Sequence, residues 1–464
     1  MPAAAADIEK ALASADANLE QGLERLKALL RIKSISTDPA YADDCQRAAD
    51  WLVADLQSEG FEASARPTPG HPVVVAHGGG AGPRVLFYGH YDVQPVDPLD
   101  LWHSDPFAAE LRPQPDGETH IVARGASDDK GQLLTFIEAC RAWKTATGSL
   151  PVGVSMIFEG EEESGGKNLP GFLDRTRDEL ATADIALVCD TDMWDGETPA
   201  IVTMLRGLVG EEMEITCASH DLHSGMYGSA ARNPLQVLSE IIASLRNPDG
   251  SVAIEGFYED VAELPPTIAE QWQRLPFDEA GFLGGAGLTT PAGEQGRSVL
   301  EQTRSRPTCE INGISGGYTG DGFKTVIPSK ASAKISFRLV SGMDPAKIRN
   351  AFRAHVRARL PADATVTFRE HGGSPAISVP TDGPFLRQAA AALQAEWGRE
   401  PALIGSGGSI PVAGELKRIL GLDTLLIGFA REDDRIHSPN EKYNLSSFHR
   451  GIRSWVRILG ALAG

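Results

Sequence analysis

A chain of 464 residues, 42% hydrophobic and 23% charged, has an ordinary globular composition and is long enough for two or three domains. Its 43 Lys and Arg against 63 Asp and Glu leave a net charge of −20. Such a charge repels polyanions and argues against nucleic acid and anionic membranes as partners. A small or cationic substrate suits this chain better.

The cysteines and the N-terminus indicate a compartment. Five cysteines lie far apart with no C-x-x-C pair, so neither a disulfide framework nor a thiolate zinc site is predicted. Residues 1–15 lack the basic start and the sustained apolar stretch of a signal peptide. No segment approaches the ~18 apolar residues of a membrane span. We therefore expect a protein of the reducing cytoplasm with no membrane partner.

In chain order, helical patterns come first and strands follow. Apolar residues recur at helical spacing over 7–30 and again over 44–59. From residue 73 onward, short apolar runs are typical of buried strands, and the predicted strands are 73–76, 85–88, 152–158, 185–188 and 425–427. A helix is predicted over 132–144. The pattern indicates an α/β layer with a largely parallel sheet flanked by helices.

The middle of the chain reads as a smaller α+β unit. Alternating polarity predicts strands and amphipathic spacing predicts helices; the strands are 212–216, 334–340 and 365–368, and the helices are 234–245 and 345–360. Between the two halves of this unit, residues 250–320 are rich in Gly, Pro and Thr. They show no clear periodicity, so their structure stays open.

Residues able to bind a metal follow almost every predicted strand of the first layer. Open α/β sheets bind their ligands at this edge, beyond the carboxyl ends of the strands. The candidates are His90 with Asp92, Asp128 with Asp129, the acidic stretch 159–163, Asp190 with Asp192, and the stretch 437–441.

Two of these segments also have plainer interpretations. Adjacent glutamates repel each other, so Glu161, Glu162 and Glu163 favour a bound cation, but a solvated acidic turn is the alternative for that stretch alone. Asp128 and Asp129 begin a predicted helix, where an N-cap pair is the alternative. The inventory as a whole is what a two-metal hydrolase needs. Carboxylate and imidazole donors suit Zn²⁺, Mn²⁺ or Co²⁺ without choosing among them.

Taken together, the motifs resemble a known family. They are GHYDVQP at 89–95, ARGASDDKG at 123–131, EGEEESGG at 159–166, DLHSGMYG at 221–228, KTVIP at 324–328, GGSIP at 407–411 and HSPNE at 437–441. The chain is similar to the di-metal aminopeptidase-like hydrolases, which include carnosine-type dipeptidases, aminoacylase, acetylornithine deacetylase and glutamate carboxypeptidase. Among these it most resembles the dipeptidases.

The resemblance implies two divalent metal ions per subunit, Zn or Mn with Co as a further option. It implies that Asp128 bridges both ions, that His90 and Asp192 complete one site, and that Glu163 and His437 complete the other.

The same resemblance assigns the chemistry to two further carboxylates. Glu162 becomes the general base, which takes a proton from a metal-bridging water and returns it to the leaving amine. Asp92 becomes the residue that orients His90. The family commonly has a cis peptide after the bridging aspartate, so the bond between Asp128 and Asp129 is expected to be cis.

The inserted unit resembles the family's lid and dimerisation domain. The expected organisation is a catalytic domain formed by 1–206 and 378–464, with the lid at 207–377. The resemblance implies a homodimer formed through this lid.

The lid and one catalytic loop also supply the expected substrate contacts. His223 is expected to reach the substrate's carbonyl oxygen across the dimer, and Thr325 and Arg338 are expected to contact the substrate, with Ser409 as a further contact. The alternatives are a helix-capping or surface histidine for His223 and a surface-paired arginine for Arg338. Dipeptidases of this type often carry a charged residue shortly before GGSIP, where this chain has Gly405 and Ser406.

The preferred interpretation is a metal-dependent hydrolase that cleaves dipeptides or short peptides with a free carboxylate. An N-acyl-amino-acid deacylase or carboxypeptidase of the same chemistry is the near alternative. A non-catalytic metal-binding protein is the alternative of a different class, and Glu162 argues against it because a base adds nothing to metal affinity.

Overall fold

The chain folds into two compact units. The computed structural model describes residues 5–80, 82–407 and 410–464. Unit 1 consists of Met1–Thr203, Val379–Ile404 and Pro411–Gly464, and unit 2 consists of Met204–Ser378 and Gly405–Ile410. A nearly continuous middle segment is therefore inserted into a unit whose own chain is interrupted.

The helices follow the amphipathic segments of the sequence. They are α1 (Ala5–Ala17), α2 (Leu19–Leu30), α3 (Ala42–Ser58), α4 (Lys130–Thr147), α5 (Leu169–Arg175), α6 (Arg177–Leu180), α7 (Ser224–Tyr227), α8 (Pro234–Ala243), α9 (Pro266–Arg274), α10 (Glu279–Gly285), α11 (Val299–Arg304), α12 (Pro345–Arg359), α13 (Pro384–Trp397), α14 (Pro411–Glu415) and α15 (Leu445–Leu462). Among the described residues, none of the helices has both the length and the apolar character that a membrane crossing requires.

The strands fall on the short apolar or alternating runs. They are β1 (Glu62–Arg66), β2 (Val73–Gly78), β3 (Arg84–His90), β4 (Glu110–Pro113), β5 (Thr119–Val122), β6 (Gly153–Glu159), β7 (Ile185–Val188), β8 (Ala200–Leu205), β9 (Gly207–Thr216), β10 (Leu222–His223), β11 (Thr308–Gly316), β12 (Val326–Ile327), β13 (Lys330–Leu339), β14 (Thr365–Ser374), β15 (Ile377–Ser378), β16 (Ala402–Ser406), β17 (Thr424–Leu426) and β18 (Lys442–Asn444).

The large sheet of unit 1 is parallel at its centre and antiparallel at its edges. In the described part of the chain, nine strands form this sheet; the order along it is β1-β2-β6-β3-β7-β17-β8-β15, and β16 also pairs with β8. The central neighbours β6, β3, β7 and β17 run parallel, whereas β1, β2 and β8 pair antiparallel with their neighbours. The α/β prediction is confirmed, and the sheet is mixed rather than parallel throughout.

An aromatic cluster fixes α4 against this sheet. The rings of Phe87 on β3 and Phe136 on α4 stack with centroids 3.8 Å apart. Trp455 on α15 meets both rings edge-on, at 5.7 and 5.4 Å. All three side chains are buried, and such contacts add to the free energy of burying large rings. Because α4 begins directly after Asp129, this packing brings the loop before α4 to the carboxyl end of β3.

Unit 2 is a two-layer α+β structure, as predicted. Its four-stranded sheet has the order β11-β13-β9-β14, and all neighbours are antiparallel. Alternate residues of β9 are buried, so one face of the sheet lies in a core with α8 and α12 that includes Val209, Phe337 and Phe352. The other face is partly exposed.

Two segments differ from the sequence-based expectations. The predicted helix over 7–30 is divided at Asn18 into α1 and α2, and the Asn18 side chain donates to the Ser14 carbonyl at 2.8 Å. The segment 250–320, left open from the sequence, contains α9, α10 and α11 followed by β11. These helices are short, at 9, 7 and 6 residues, which is too few turns for a clear amphipathic period.

Candidate metal centre

Metal-ligand side chains converge at the carboxyl ends of the central strands of unit 1. β3 ends at His90, β6 ends three residues before Glu162, and β7 ends two residues before Asp190. Asp128 lies in the loop before α4. The edge of the sheet that open α/β folds use for ligands therefore carries the predicted cluster.

Asp128 lies at the centre of this cluster. Its Oδ1 is 3.0 Å from Nε2 of His90, and its Oδ2 is 2.9 Å from Nε2 of His437. One carboxylate thus faces two imidazoles, one through each oxygen. That is the arrangement a bridging ligand requires.

The cluster divides into two groups that share Asp128. In the first, Asp190 Oδ2 lies 3.8 Å from Nε2 of His90. In the second, Glu163 Oε2 lies 3.3 Å from Nε2 of His437. Within each group, one ligand atom from every member lies within 4.8 Å of the others.

The structure brings Asp190, and not the predicted Asp192, next to His90. The chain turns directly after β7, where the Thr191 N–H donates to the Cys189 carbonyl at 2.8 Å. In an extended segment, the side chains of Asp190 and Asp192 would lie on the same side. The turn breaks that arrangement. Asp190 faces His90, whereas Asp192 is exposed and pairs through its backbone with Ala430. We therefore assign Asp190 to the first group.

Asp92 connects the histidine to the acidic turn. Its Oδ1 lies 3.4 Å from Nδ1 of His90, and its main-chain carbonyl lies 3.1 Å from the same nitrogen. Its carboxylate also accepts the N–H groups of Glu162 and Glu163, at 3.2 and 3.0 Å, and the hydroxyl of Ser36 at 2.5 Å. One buried carboxylate thus orients both a ligand and the backbone that carries the predicted base.

Glu441 holds the loop that carries Asp128. Its carboxylate accepts the backbone N–H groups of Gly125, Ser127 and Asp128 at 3.0–3.1 Å and a 2.7 Å bond from the Arg124 guanidinium. Sequence reasoning placed Glu441 in a motif but gave it no role. Glu441 contacts residues that are more than 300 positions away in the sequence, and no local sequence pattern predicts such contacts.

Asp129 supports the same region from the other side. Its Oδ2 accepts the His90 N–H at 3.1 Å, and the Cys189 thiol lies 3.3 Å away. Burial raises the pKa of Asp129 to about 8. The peptide bond between Asp128 and Asp129 is cis, as the resemblance implies.

Burial and neighbouring charges shift the pKa values of the residues in the cluster. Burial, reinforced by Asp128, raises the pKa of Asp190 well above its ordinary value. Burial also raises the pKa of Glu162 to about 7, with a further rise from Glu163. Hydrogen bonds to Asp128 and Glu163 raise the pKa of His437 to about 10. Carboxylates crowded in this way are stabilised by added positive charge.

The donor set fits two divalent cations. Each group offers one imidazole, the shared Asp128 and one further carboxylate. Donor atoms within 4.8 Å of one another can all reach one ion at the ~2.0–2.2 Å that nitrogen and oxygen ligands adopt. The Gln94 amide donates to Glu163 Oε2 at 2.7 Å, which supports that ligand from outside.

The predicted substrate residues lie in unit 2 or outside the described residues. His223 is exposed, and its Nδ1 accepts the Gly225 N–H at 3.0 Å, so it caps α7. It lies opposite Val326 in the ribbon of β10 and β12, which brings it close to Thr325. Arg338 is half-buried on β13. Ser409 lies outside the described residues.

Comparison with known proteins identifies the family. The sequence model of Peptidase family M20/M25/M40 matches residues 86–461. The chain belongs to this family. A Cys-Gly metallodipeptidase of Schizosaccharomyces pombe is 30% identical to the chain described here, and the match covers 97% of each protein.

Solved structures of the family share the fold over the whole chain. The crystal structure of human carnosine dipeptidase 1 has a TM-score of 0.77 at 26% identity and covers 100% of both chains. An M20 family metallo-carboxypeptidase from Sulfolobus solfataricus has a TM-score of 0.79 at 30% identity, covering 95% of this chain and 99% of its own.

The choice between Asp190 and Asp192 can be tested by metal content. We expect Asp190→Ala to bind one ion fewer than the unmodified protein, because the first group loses a ligand. Asp192→Ala is the matched control and should keep both ions. Mass-spectrometric metal analysis after dialysis measures both variants. If Asp192→Ala loses the ion and Asp190→Ala keeps it, the ligand is Asp192.

Glu441→Ala tests the support of the Asp128 loop. Arg124 and Glu441 have side chains only 1% exposed, and removing one partner of a buried pair typically costs about 3–5 kcal/mol. We expect a loss of that order in the free energy of unfolding, measured with urea. Glu441→Gln keeps an acceptor oxygen and should lose less. Wild-type stability in the alanine variant would show that Glu441 does not support the loop.

Proposed function

We propose that this chain is a di-metal peptidase that hydrolyses the amide bond of dipeptides or short peptides with a free C-terminal carboxylate. The observation that carries the proposal is the shared Asp128, which faces one histidine through each carboxylate oxygen. Family membership supports the proposal. Metallodipeptidase relatives that align with nearly the whole chain support it as well.

Five side chains would hold the ions. They are Asp128 as the bridge, His90 with Asp190, and Glu163 with His437. Two bound divalent ions polarise the scissile carbonyl and lower the pKa of water. Zn²⁺, Mn²⁺ and Co²⁺ all suit this nitrogen and oxygen donor set.

Glu162 is the proposed general base. It lies next to the ligand Glu163, and its carboxylate forms no hydrogen bond or ion pair in the described part of the chain. It is thus free to accept a proton from water and to donate it later to the leaving amine. Burial raises the pKa of Glu162 and bound cations lower it again, so the base role is argued from the position of this unpaired carboxylate beside the ligands.

Arg338 is the proposed contact for the substrate's carboxylate. In the described residues its guanidinium has no hydrogen bond and no ion pair, although it is half-buried. Arginine binds carboxylates through two parallel N–H donors. Arg338 therefore suits a peptide's free C-terminus, and we propose that Thr325 and Ser409 assist it.

The orientation of His223 supports its proposed role at the carbonyl oxygen. Because Nδ1 accepts the Gly225 N–H, a neutral ring carries its proton on Nε2. The capping contact that was the alternative interpretation thus leaves Nε2 as a donor. A donor aimed at the developing oxyanion is worth a few kcal/mol in the transition state.

An exposed apolar surface on unit 2 supports the homodimer. Met226 is 76% exposed and Phe323 is 92% exposed. Tyr227, Ile314 and Tyr318 are also exposed, and all five belong to unit 2. Contiguous exposed apolar side chains mark interaction surfaces, and Met226 with Tyr227 are adjacent in the sequence. We propose that unit 2 is a lid and that a second copy of this chain covers these residues.

The similarity to a metallo-carboxypeptidase supports carboxypeptidase activity as the alternative function. That enzyme is as similar in identity as the dipeptidase relative, and both reactions need the carboxylate contact of Arg338. A panel of dipeptides, longer peptides and N-acyl amino acids separates the activities.

The cysteines, all free in the structure, support the cytoplasm as the compartment.

Glu162→Gln tests the base. The amide cannot accept a proton, so we expect kcat to fall by about 10²–10⁴-fold while both ions stay bound. The measurements are dipeptide turnover and metal content on the same preparation. Near wild-type kcat would assign the base elsewhere, and loss of an ion would make Glu162 a ligand.

The cross-subunit role of His223 can be tested by mixing inactive variants. Glu162→Ala and His223→Ala subunits are unfolded together in equal amounts and reassembled. Random pairing makes about half the dimers mixed, and one site in each mixed dimer then has wild-type composition. About a quarter of all sites should therefore regain activity. Activity no greater than the mean of the two separate variants would place His223 in its own subunit's site.

A further inference from the structure

A second arginine lies on the same face of the unit 2 sheet as Arg338. Arg338 on β13 is directly opposite Leu208 on β9, so their side chains share a face. Exposure alternates from Met204 through Arg206 to Leu208, with the residues between them buried. Arg206 directly precedes β9, and the alternation of β9 continued by one residue puts it on this face, as a diagonal neighbour of Arg338 at about 7–8 Å. The charge of Arg338 reaches Arg206, in agreement with that placement.

Arg206 lacks an acidic partner. Its Nε donates to the Gly407 carbonyl at 3.3 Å, and it forms no ion pair in the described residues. The neighbouring segment, Gly405 to Gly407, contains no carboxylate. The acidic residue whose charge reaches it is Glu310, which is mostly exposed and lies 3.9 Å from Arg246.

The two guanidiniums repel each other. Burial, together with the charges of Arg338 and Arg304, lowers the pKa of Arg206 to about 10. Half-buried like charges are unfavourable unless an anion joins them. A single carboxylate satisfies one guanidinium through two donors, so two guanidiniums suit a ligand with two carboxylates.

Arg206 also lines a cavity of about 310 Å³ within unit 2. Two acidic residues line the same cavity, and both already have cationic partners. Asp260 lies 2.7 Å from Lys347 Nζ, and Glu263 accepts Arg297 at 2.6 Å. Arg338 does not line this cavity, so the cavity offers space only for the group that Arg206 binds, and the acids in its walls do not neutralise Arg206.

We propose that Arg206 is a specificity-determining residue that binds a second carboxylate on the substrate's C-terminal residue. The preferred substrates are then dipeptides that end in Asp or Glu. This inference rests on the proposed function, in which Arg338 binds the main-chain carboxylate. The chain's net charge of −20 does not oppose it, because binding depends on the local cationic pair.

The test compares Ala-Glu with Ala-Gln, which match in size and differ by one negative charge. With the metal-loaded full chain, we expect kcat/KM for Ala-Glu to exceed that for Ala-Gln by about tenfold or more, as a charged hydrogen bond allows. Arg206→Gln should abolish the preference by lowering Ala-Glu turnover. Arg206→Lys keeps the charge and should keep part of the preference.

Two further variants serve as controls. Arg274→Gln removes an exposed arginine of the same unit and should leave the preference unchanged. Arg338→Ala should lower turnover of both dipeptides alike, because both have a main-chain carboxylate.

The outcomes separate the two proposals. Hydrolysis of neither dipeptide by the unmodified enzyme would overturn the proposed function. Hydrolysis of both without a preference for Ala-Glu would overturn the role of Arg206 alone. Equal losses on both dipeptides in Arg206→Gln would do the same. Product inhibition by glutamate that exceeds inhibition by glutamine in the unmodified enzyme supports the role without any variant, and equal inhibition opposes it.

Discussion

The carboxylate of Asp128, held between two histidines, is the interaction on which the site depends. It faces His90 through one oxygen and His437 through the other. These residues come from distant parts of the chain, so the carboxylate can have both neighbours only if its own loop is fixed. Glu441 fixes it by accepting three backbone N–H groups and the Arg124 guanidinium. A buried carboxylate with four donors is satisfied despite its desolvation.

Around this centre, negative charge is concentrated at some energetic cost. The raised pKa values of Asp190 and Glu162 report that cost. Stability and function therefore make different demands here, since the apoprotein has to keep acidic groups close together so that cations can bind. Asp92 shows how the cost is limited, because it takes its donors from the backbone of the acidic turn itself.

The parts of the fold that depend on local pattern were predictable from the sequence. The buried strands β2, β3, β6 and β7 follow apolar runs, and α4 and α12 follow helical periodicity. The candidate site was predictable where a motif and a strand end coincide, as at His90 and Asp128. The choice between Asp190 and Asp192 as the metal ligand was not predictable, because it depends on a tight turn that no residue pattern specifies. The role of Glu441 depends on contacts across more than 300 positions, which periodicity cannot show.

The interruption of unit 1 has a consequence for synthesis. Unit 2 is nearly continuous, from 204 to 378, whereas unit 1 needs the segments that follow it. A chain emerging from the ribosome exposes His90, Asp128 and Glu163 long before His437 and Glu441 exist. Domains fold as units, and distant contacts form slowly. The nascent protein thus carries an incomplete acidic cluster through most of its translation, and the metal centre forms only when the last few dozen residues arrive.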